Sequence, residues 1–289
     1  MVTAHSVPSD SGLRAGGGRA PVGLVAGRGD FPIEMCEAAR RAGVPGLAVI
    51  GMHGETDPAI SGLADSLDWV YVGQLRRSIA ALKRRGVEEV IFAGQVRPGR
   101  LFKGLRPDWT ALRLLCRLKE RNAESIFSAI GAEFQRCGLR VLPSTTFMEE
   151  ALAPTGLLGR VRPGQAVRED IDFGVRIARE IGRLNIGQTV VVKRGTVVAV
   201  EAFEGTDKAI RRAGEIAHGG VTVVKVAKPG HDLRFDVPCV GMRTVESLRL
   251  AGARALVLHA GRTLLLRRER VLAACDAARI AVIGVEIGE

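Results

Sequence analysis

From Pro21 onward, short apolar runs alternate with stretches of helical periodicity, and that rhythm leaves few folds open. "PVGLVAGRGDFP" reads as a buried strand breaking into a glycine turn, and "PIEMCEAARRAG" as a helix ending at glycine. "VPGLAVIGM" and "DWVYVG" read as further strands, "LRRSIAALKRRG" as a helix stopped by Gly86, and "EEVIFAGQV" as another strand. A longer helical region, "TALRLLCRLKERNAESIFSAIGAEFQRCG", precedes the strand "LRVLPST". Strands alternating with helices at this rhythm predict a parallel sheet covered by helices on both faces. The expected class is α/β, with a Rossmann-like first domain over residues 21–147 behind a disordered tail, 1–20, rich in Ser, Gly and Pro.

Pro and Gly accumulate in "TFMEEALAPTGLLGRVRPGQ", which marks residues 148–165 as a linker. Beyond it, residues 166–289 form a C-terminal mixed α/β domain. It begins with the amphipathic helix "VREDIDFGVRIAREIGRLN", and "TVVVKRGTVVAVEA" follows as a hairpin turning at Arg194-Gly195. Strands are expected in "VTVVKVAK", "ALVLHAGRTLLLRR" (itself a hairpin at "HAGRTLLL") and "IAVIGVEI", and a helix in "VLAACDAAR". No internal repeat is present.

Charge narrows the partners. The formal net charge is +11, carried mainly by arginines spread along the chain, which favours anionic partners. Aromatic residues make up only 4% of the chain, too few for the base-stacking surfaces of single-strand binders, so nucleic acid is set aside. Five cysteines without any C-x-x-C spacing argue against a zinc cage or a disulfide framework. With no apolar leader and no apolar run long enough to span a bilayer, the expected location is the cytoplasm.

Three places could carry chemistry. Gly23, Gly27 and Gly29 sit between strand and helix, where backbone amides can face a phosphate, but Pro32 stands where the dinucleotide fingerprint needs glycine. Gln95, with Arg97 and Arg100, follows a strand end, where ligands of open α/β sheets bind. In "VEAFEGTDKAIRRAG", Thr206 or Asp207 could cap a helix, or Asp207 could join Glu201 and Glu204 around Mg²⁺.

The densest stretch is "KVAKPGHDLRFDVPCVG". Lys225, Lys228 and Arg234 can neutralise a diphosphate, while Asp232 and Asp236 can hold a metal or orient water. Surface ion pairs would use the same residues. Asp236, however, lies between Phe235, Val237 and Pro238, and a buried carboxylate needs a partner or a metal.

Taken in order, "GLVAGRGDFP", "FAGQVRP", "IGQTVVVKRGTVVAVEAFEGTD", "KVAKPGHDLRFDVPCVG" and "HAGRTLLL" resemble the signature segments of the LpxI family of UDP-2,3-diacylglucosamine pyrophosphatases, from about Val22 to Ile287. The resemblance implies two α/β domains enclosing a UDP-linked glycolipid, which is split into UMP and 2,3-diacylglucosamine 1-phosphate (lipid X) during lipid A biosynthesis. It implies dependence on Mg²⁺ or another divalent cation, with the catalytic aspartate at Asp236. Binding roles carry over to Glu204, Gly205, Thr206, Asp207, Lys225 and Lys228, and Gly27, Gly29, Gln95 and Arg234 complete the expected substrate site.

Departures from the family pattern are Asn185 in "LNIGQ", Arg28 in the glycine turn, and "RNAESIF" where some relatives carry paired aspartates. A membrane-derived substrate implies contact with the inner-membrane surface, for which Leu112, Leu115 and Leu118 among arginines offer an amphipathic face. A second copy of the chain is left open as a partner. The readings to be distinguished are another nucleotide-sugar diphosphate hydrolase and a non-catalytic nucleotide- or glycolipid-binding protein.

Overall fold

Strand β1 (Val22–Ala26) is buried at every residue and lies parallel to both β2 (Leu47–Met52) and β4 (Glu89–Ala93). Burial on two sides explains why these strands are continuous apolar runs rather than alternating ones. With β3 (Ser66–Val70) and β5 (Arg140–Val141) they make a five-stranded parallel sheet in the order β3-β2-β1-β4-β5, the Rossmann-like arrangement expected. The computed structural model describes residues 20–96, 106–118, 123–228, 232–235 and 237–288. The expected tail falls almost wholly outside the described residues, as do Arg97, Arg100, His231 and Asp236.

Helix α1 (Phe31–Arg41) covers one face of this sheet, packing Met35, Cys36 and Ala39 on Leu24 and Val49. Helices α2 (Leu75–Arg84) and α4 (Ala123–Arg136) cover the other, placing Ile79, Leu82 and Phe134 against Val25, Ile50 and Val90. The shorter α3 (Trp109–Arg117) buries only Ala111 and leaves Trp109 76% exposed. Leu118 lies past its end in extended backbone, so it does not share a helical face with Leu112 and Leu115.

The second sheet is mixed. It runs β6 (Gly156–Leu157), β13 (Ala281–Val285), β11 (Ala255–His259), β9 (Thr222–Lys225), β7 (Thr189–Lys193), β8 (Thr196–Val200). Helix α5 (Gln165–Arg183) lies on one face, and α6 (Thr206–Ala217), α7 (Met242–Leu250) and α8 (Arg268–Ala277) on the other. The β7–β8 hairpin turns at Arg194 and Gly195, both left-handed, and both amides donate to the buried Asp170 carboxylate (3.0 and 2.8 Å). Residues 148–165, read as a linker, carry β6, which pairs antiparallel with β13.

One sequence expectation is corrected. "HAGRTLLL" is not a hairpin, because β11 is already flanked by β9 and β13. The chain leaves the sheet after His259 and forms β12 (Leu264–Leu265), whose partner is the parallel β10 (Cys239–Val240). Leu264 and Leu265 are fully buried there.

The two halves are joined beyond the chain crossing near residue 150. Leu233 and Val237 pack with the α1 face of the first sheet, and Phe235 packs near Phe92 and Phe127 on the other face. The Ser144 hydroxyl, 1% exposed, sits between the carbonyls of Phe92 and Arg234 (2.6 and 2.7 Å). Arg267 reaches from the second half to grip both oxygens of Glu37 on α1 (2.7 and 3.1 Å).

Candidate active site

The polar centre lies at the carboxyl edge of the second sheet. Antiparallel pairing of β7 and β9 sets Thr189 opposite Lys225, and the Glu201 amide donates to the Thr189 carbonyl (2.9 Å) just past β8. Three strand ends thus meet the first turn of α6. Lys225 Nζ donates to Thr206 Oγ1 (2.7 Å), and Thr206 Oγ1 donates to Glu201 Oε1 (2.9 Å). Thr189 Oγ1 lies 3.3 Å from the same hydroxyl.

Lys225 is 3% exposed and Glu201 7%. An ammonium and a carboxylate buried together, bridged by one hydroxyl, offset each other's desolvation. Glu201 Oε2 accepts no hydrogen bond from the described residues. Lys225 therefore charges the floor of the site and orients Thr206, rather than standing free in solvent.

Around this floor the expected residues divide. Glu204 turns to Arg212 (2.5 Å) and accepts from the Ala202 amide; the Arg212 hydrogen bond holds its carboxyl below the usual range. Asp207, in the first turn of α6, accepts from Thr244 Oγ1 (3.1 Å) and faces Arg243 (3.5 Å), both in the first turn of α7. Two helix amino ends consequently flank one point, a field that favours anions. Lys228 Nζ donates to Asn185 Oδ1 (2.8 Å), and Asn185 sits in the left-handed conformation that Asn tolerates well. Where an aspartate would form an ion pair with Lys228, Asn185 offers a neutral acceptor.

His259 ends β11 and its Nδ1 accepts from the Ala227 amide (3.3 Å); burial, then Arg262, pushes its pKa down. The five cysteines are free, and burial raises the Cys36 and Cys275 thiols to about 12, which leaves them un-ionised.

Asp232 and Arg234 are paired with each other through several hydrogen bonds (2.7 to 3.1 Å), with the guanidinium 5.4 Å above the Phe235 ring. Both lie on the segment that docks on the first half. Asp236 lies outside the described residues, between Phe235 and Val237.

In the first half, Gly27, Gly29 and Gln95 come together. The Gly27 amide donates to Ala93 and the Arg28 amide to Gln95 (both 2.8 Å). A β-carbon on Gly27 would lie 2.6 Å from the Gln95 carbonyl oxygen, so only glycine permits this approach. Gly29 has φ +93° and needs glycine for that reason instead. The next residue, Asp30, adjoins the amino end of α7: a β-carbon on Gly241 would be 3.9 Å from its Oδ2. Contacts therefore run from the glycine turn through Gly241 and Thr244 to Asp207, Thr206 and Lys225.

Among the described residues, no three His, Cys, Asp or Glu side chains gather as a metal cluster. Asp207 offers a single carboxylate beside two helix amino ends. That carboxylate already faces Arg243, and the helix ends favour an anion. The described residues alone therefore offer Mg²⁺ one ligand, and the rest of its shell would have to come from phosphate oxygens and water.

The LpxI N-terminal domain family matches residues 21–151, and the LpxI C-terminal domain family matches residues 154–283. The chain belongs to the LpxI family. It is 36% identical over 281 residues to the UDP-2,3-diacylglucosamine pyrophosphatase LpxI of Caulobacter vibrioides, covering 92% of this chain and 97% of that one. Among solved structures, the biotin carboxylase subunit of pyruvate carboxylase aligns over 69% of this chain and 42% of its own. Its TM-score is 0.28 at 16% identity, a likeness that carries no functional argument.

Within the LpxI frame, Thr189, Thr244 and Gly241 are the site-lining residues that sequence reading did not single out. Glu201 was visible only as one more acid. Their signal lies in strand register and helix–helix contact, neither of which has a spacing rule along the chain.

Proposed function

We propose that the protein hydrolyses the diphosphate of UDP-2,3-diacylglucosamine, releasing UMP and 2,3-diacylglucosamine 1-phosphate (lipid X) in lipid A biosynthesis. The observation that carries this is end-to-end similarity to a pyrophosphatase of that name, in a chain whose Thr206–Lys225 corner is linked through Asp207, Thr244 and Gly241 to Asp30 beside the glycine turn. Water attacks one phosphorus as the bridging P–O bond breaks, so two phosphate monoesters form and a proton leaves the water. Charge builds on the departing phosphate. The amino ends of α6 and α7, with Lys228, would meet that charge, while Lys225 adds a buried positive charge behind Thr206, whose own hydrogen goes to Glu201.

Asp236 takes the role of base or water-orienting group. Mg²⁺, held by Asp207 and by Asp236 together with phosphate oxygens, would neutralise the diphosphate. Asp232 is proposed here as the group that fixes Arg234, since both its oxygens already receive that guanidinium.

The protein would work in the cytoplasm, against the inner-membrane surface. The outward Trp109 and Leu112 of α3, with Arg113 and Arg117, are the proposed contact, and none of the described helices is long and apolar enough to cross a bilayer. Sedimentation with anionic but not neutral liposomes at low salt tests this; absence of both ends it.

The main test is UMP release from the diacylated substrate with Mg²⁺, with EDTA, and with Asp236→Ala. EDTA is expected to abolish release, and Asp236→Ala to lower turnover at least about a thousandfold while substrate still binds. Release from UDP-N-acetylglucosamine at the same rate would favour a general nucleotide-sugar hydrolase, and no release at all a binding protein.

A further inference from the structure

Strands β10 and β12 pair with each other and belong to neither large sheet. Successive side chains of a strand point to opposite faces, and here the two faces serve different halves of the molecule. Leu264 and Leu266 pack into the core of the first half with Leu24, Phe31 and Met35. Leu265 and Val240 pack into the core of the second with Leu256 and Val271. The small sheet is therefore the plate on which the halves meet.

One end of the plate leads to the site. The Leu266 amide donates to the Val240 carbonyl (2.9 Å), and the next residue, Gly241, is the N-cap of α7. A β-carbon on Gly241 would lie 3.8 Å from Leu266 Cβ and 3.9 Å from Asp30 Oδ2. Within the first turn that follows, Arg243 and Thr244 hold Asp207. How the plate sits on α1 thus sets where the amino end of α7 stands relative to the glycine turn.

Apolar burial is non-directional and leaves such a plate free to slide. The directional contact comes from Arg267, directly after Leu266, whose φ of +52° is uncommon for a residue other than glycine. Its guanidinium donates to both Glu37 oxygens (2.7 and 3.1 Å), and its Nε lies 3.6 Å from Glu34 Oε1. A bidentate fork fixes angle as well as distance. The Arg267 and Glu37 side chains are 40% and 31% exposed, so the pair adds little stability. Glu34 is more deeply placed; burial pushes its pKa up, against the pull of Arg267. A contact that spans the halves, fixes direction and stabilises little is suited to alignment rather than to folding.

We infer that Arg267 is a positioning residue: its grip on Glu37 and Glu34 fixes the β10–β12 plate, and with it the amino end of α7, against the glycine turn. The inference rests on the diphosphate reading above for its effect on turnover, and not for its effect on the backbone.

Arg267→Gln, Glu37→Gln and the double variant, each in the full chain, test it, with Arg249→Gln breaking the exposed Arg249–Glu246 pair as control. Hydrogen exchange without substrate should quicken at least about fivefold over residues 239–245 in Arg267→Gln. Exchange in β7 should not change, and the melting temperature should stay within about 3 °C. In UMP release, kcat should fall about tenfold or more with KM held within about threefold, as when reacting groups are displaced by a fraction of an ångström. Arg267→Lys keeps the charge without the fork and should recover only part of kcat. The double variant should be no worse than either single one, and the control should match the wild type.

Unchanged exchange over residues 239–245 overturns the inference, as does quickened exchange with an unaltered kcat in a chain that releases UMP. Faster exchange throughout the chain with a lower melting temperature would make Arg267 a residue of the fold alone, and additive losses in the double variant would separate it from Glu37; either also overturns it. Locally quickened exchange in a chain that releases no UMP even as wild type would uphold the clamp and sink the hydrolase reading. Normal release with unchanged exchange would do the reverse.

Discussion

The carboxyl edges of the two sheets are built in opposite ways. At the first, the exposed His53 and Asp57, the half-buried Trp69 and the buried Glu55 surround an open cavity whose rigidity comes from backbone hydrogen bonds and one threonine. At the second, a lysine, a threonine and a glutamate are packed out of water, and each depends on the next. An open edge can lose one side chain and still fold, whereas a buried charge chain cannot lose a member without leaving its partner stranded. The division suggests why one chain keeps both: recognition tolerates solvent, and stabilising a building charge does not.

The strongest attack on that contrast is Lys225→Met. It leaves the Glu201 carboxylate buried without a cation, so thermal unfolding should register a loss of roughly 3 kcal/mol, and UMP release should fall by about two to three orders of magnitude. Unchanged values for both would mean that the second edge is not the chemical one.

A subtler change sharpens the same comparison. Asn185→Asp would pair Lys228 across a partly exposed surface and neutralise it. Stability should move by less than about 1 kcal/mol, while substrate KM rises severalfold. An unaltered KM would remove Lys228 from the phosphate site.

The smallest expected effect is pH-dependent. Burial lowers the His259 pKa below its ordinary 6.5, so the unfolded chain takes up a proton before the folded one. Its stabilising contribution is complete above pH 6.5 and is lost as pH falls from 6.5 through the folded value. His259→Asn should flatten that acid limb in a melting series from pH 7.5 to about 5. An identical limb in the variant would assign it to other groups.

Much of this architecture could be read before any coordinates. β1, β2 and β4 are legible because strands buried on both faces must be apolar throughout, and Gly27 and Gly29 because a tight strand-to-helix turn demands them. The Arg194-Gly195 hairpin was equally plain. What could not be read is pairing between distant segments. Thr189 meets Lys225 only through the β7–β9 register, and "HAGRTLLL" looks like a hairpin until β9 and β13 are seen on either side of β11. The contact of His53 with Trp69 and Tyr71 is hidden for the same reason, since His53 follows β2 while the other two belong to the β3 segment.

Phe235 shows what such long-range pairing demands of a chain being made. It fits against Gly131, where any side chain would collide with its ring, and beside Phe92 and Phe127. The first sheet has left the ribosome with all five strands long before Phe235 is synthesised, so for that interval its aromatic groove stands open to chaperones. A fragment ending near residue 151 would keep that groove uncovered for good, which makes the intact chain, rather than the separate halves, the unit that reaches a sealed native state.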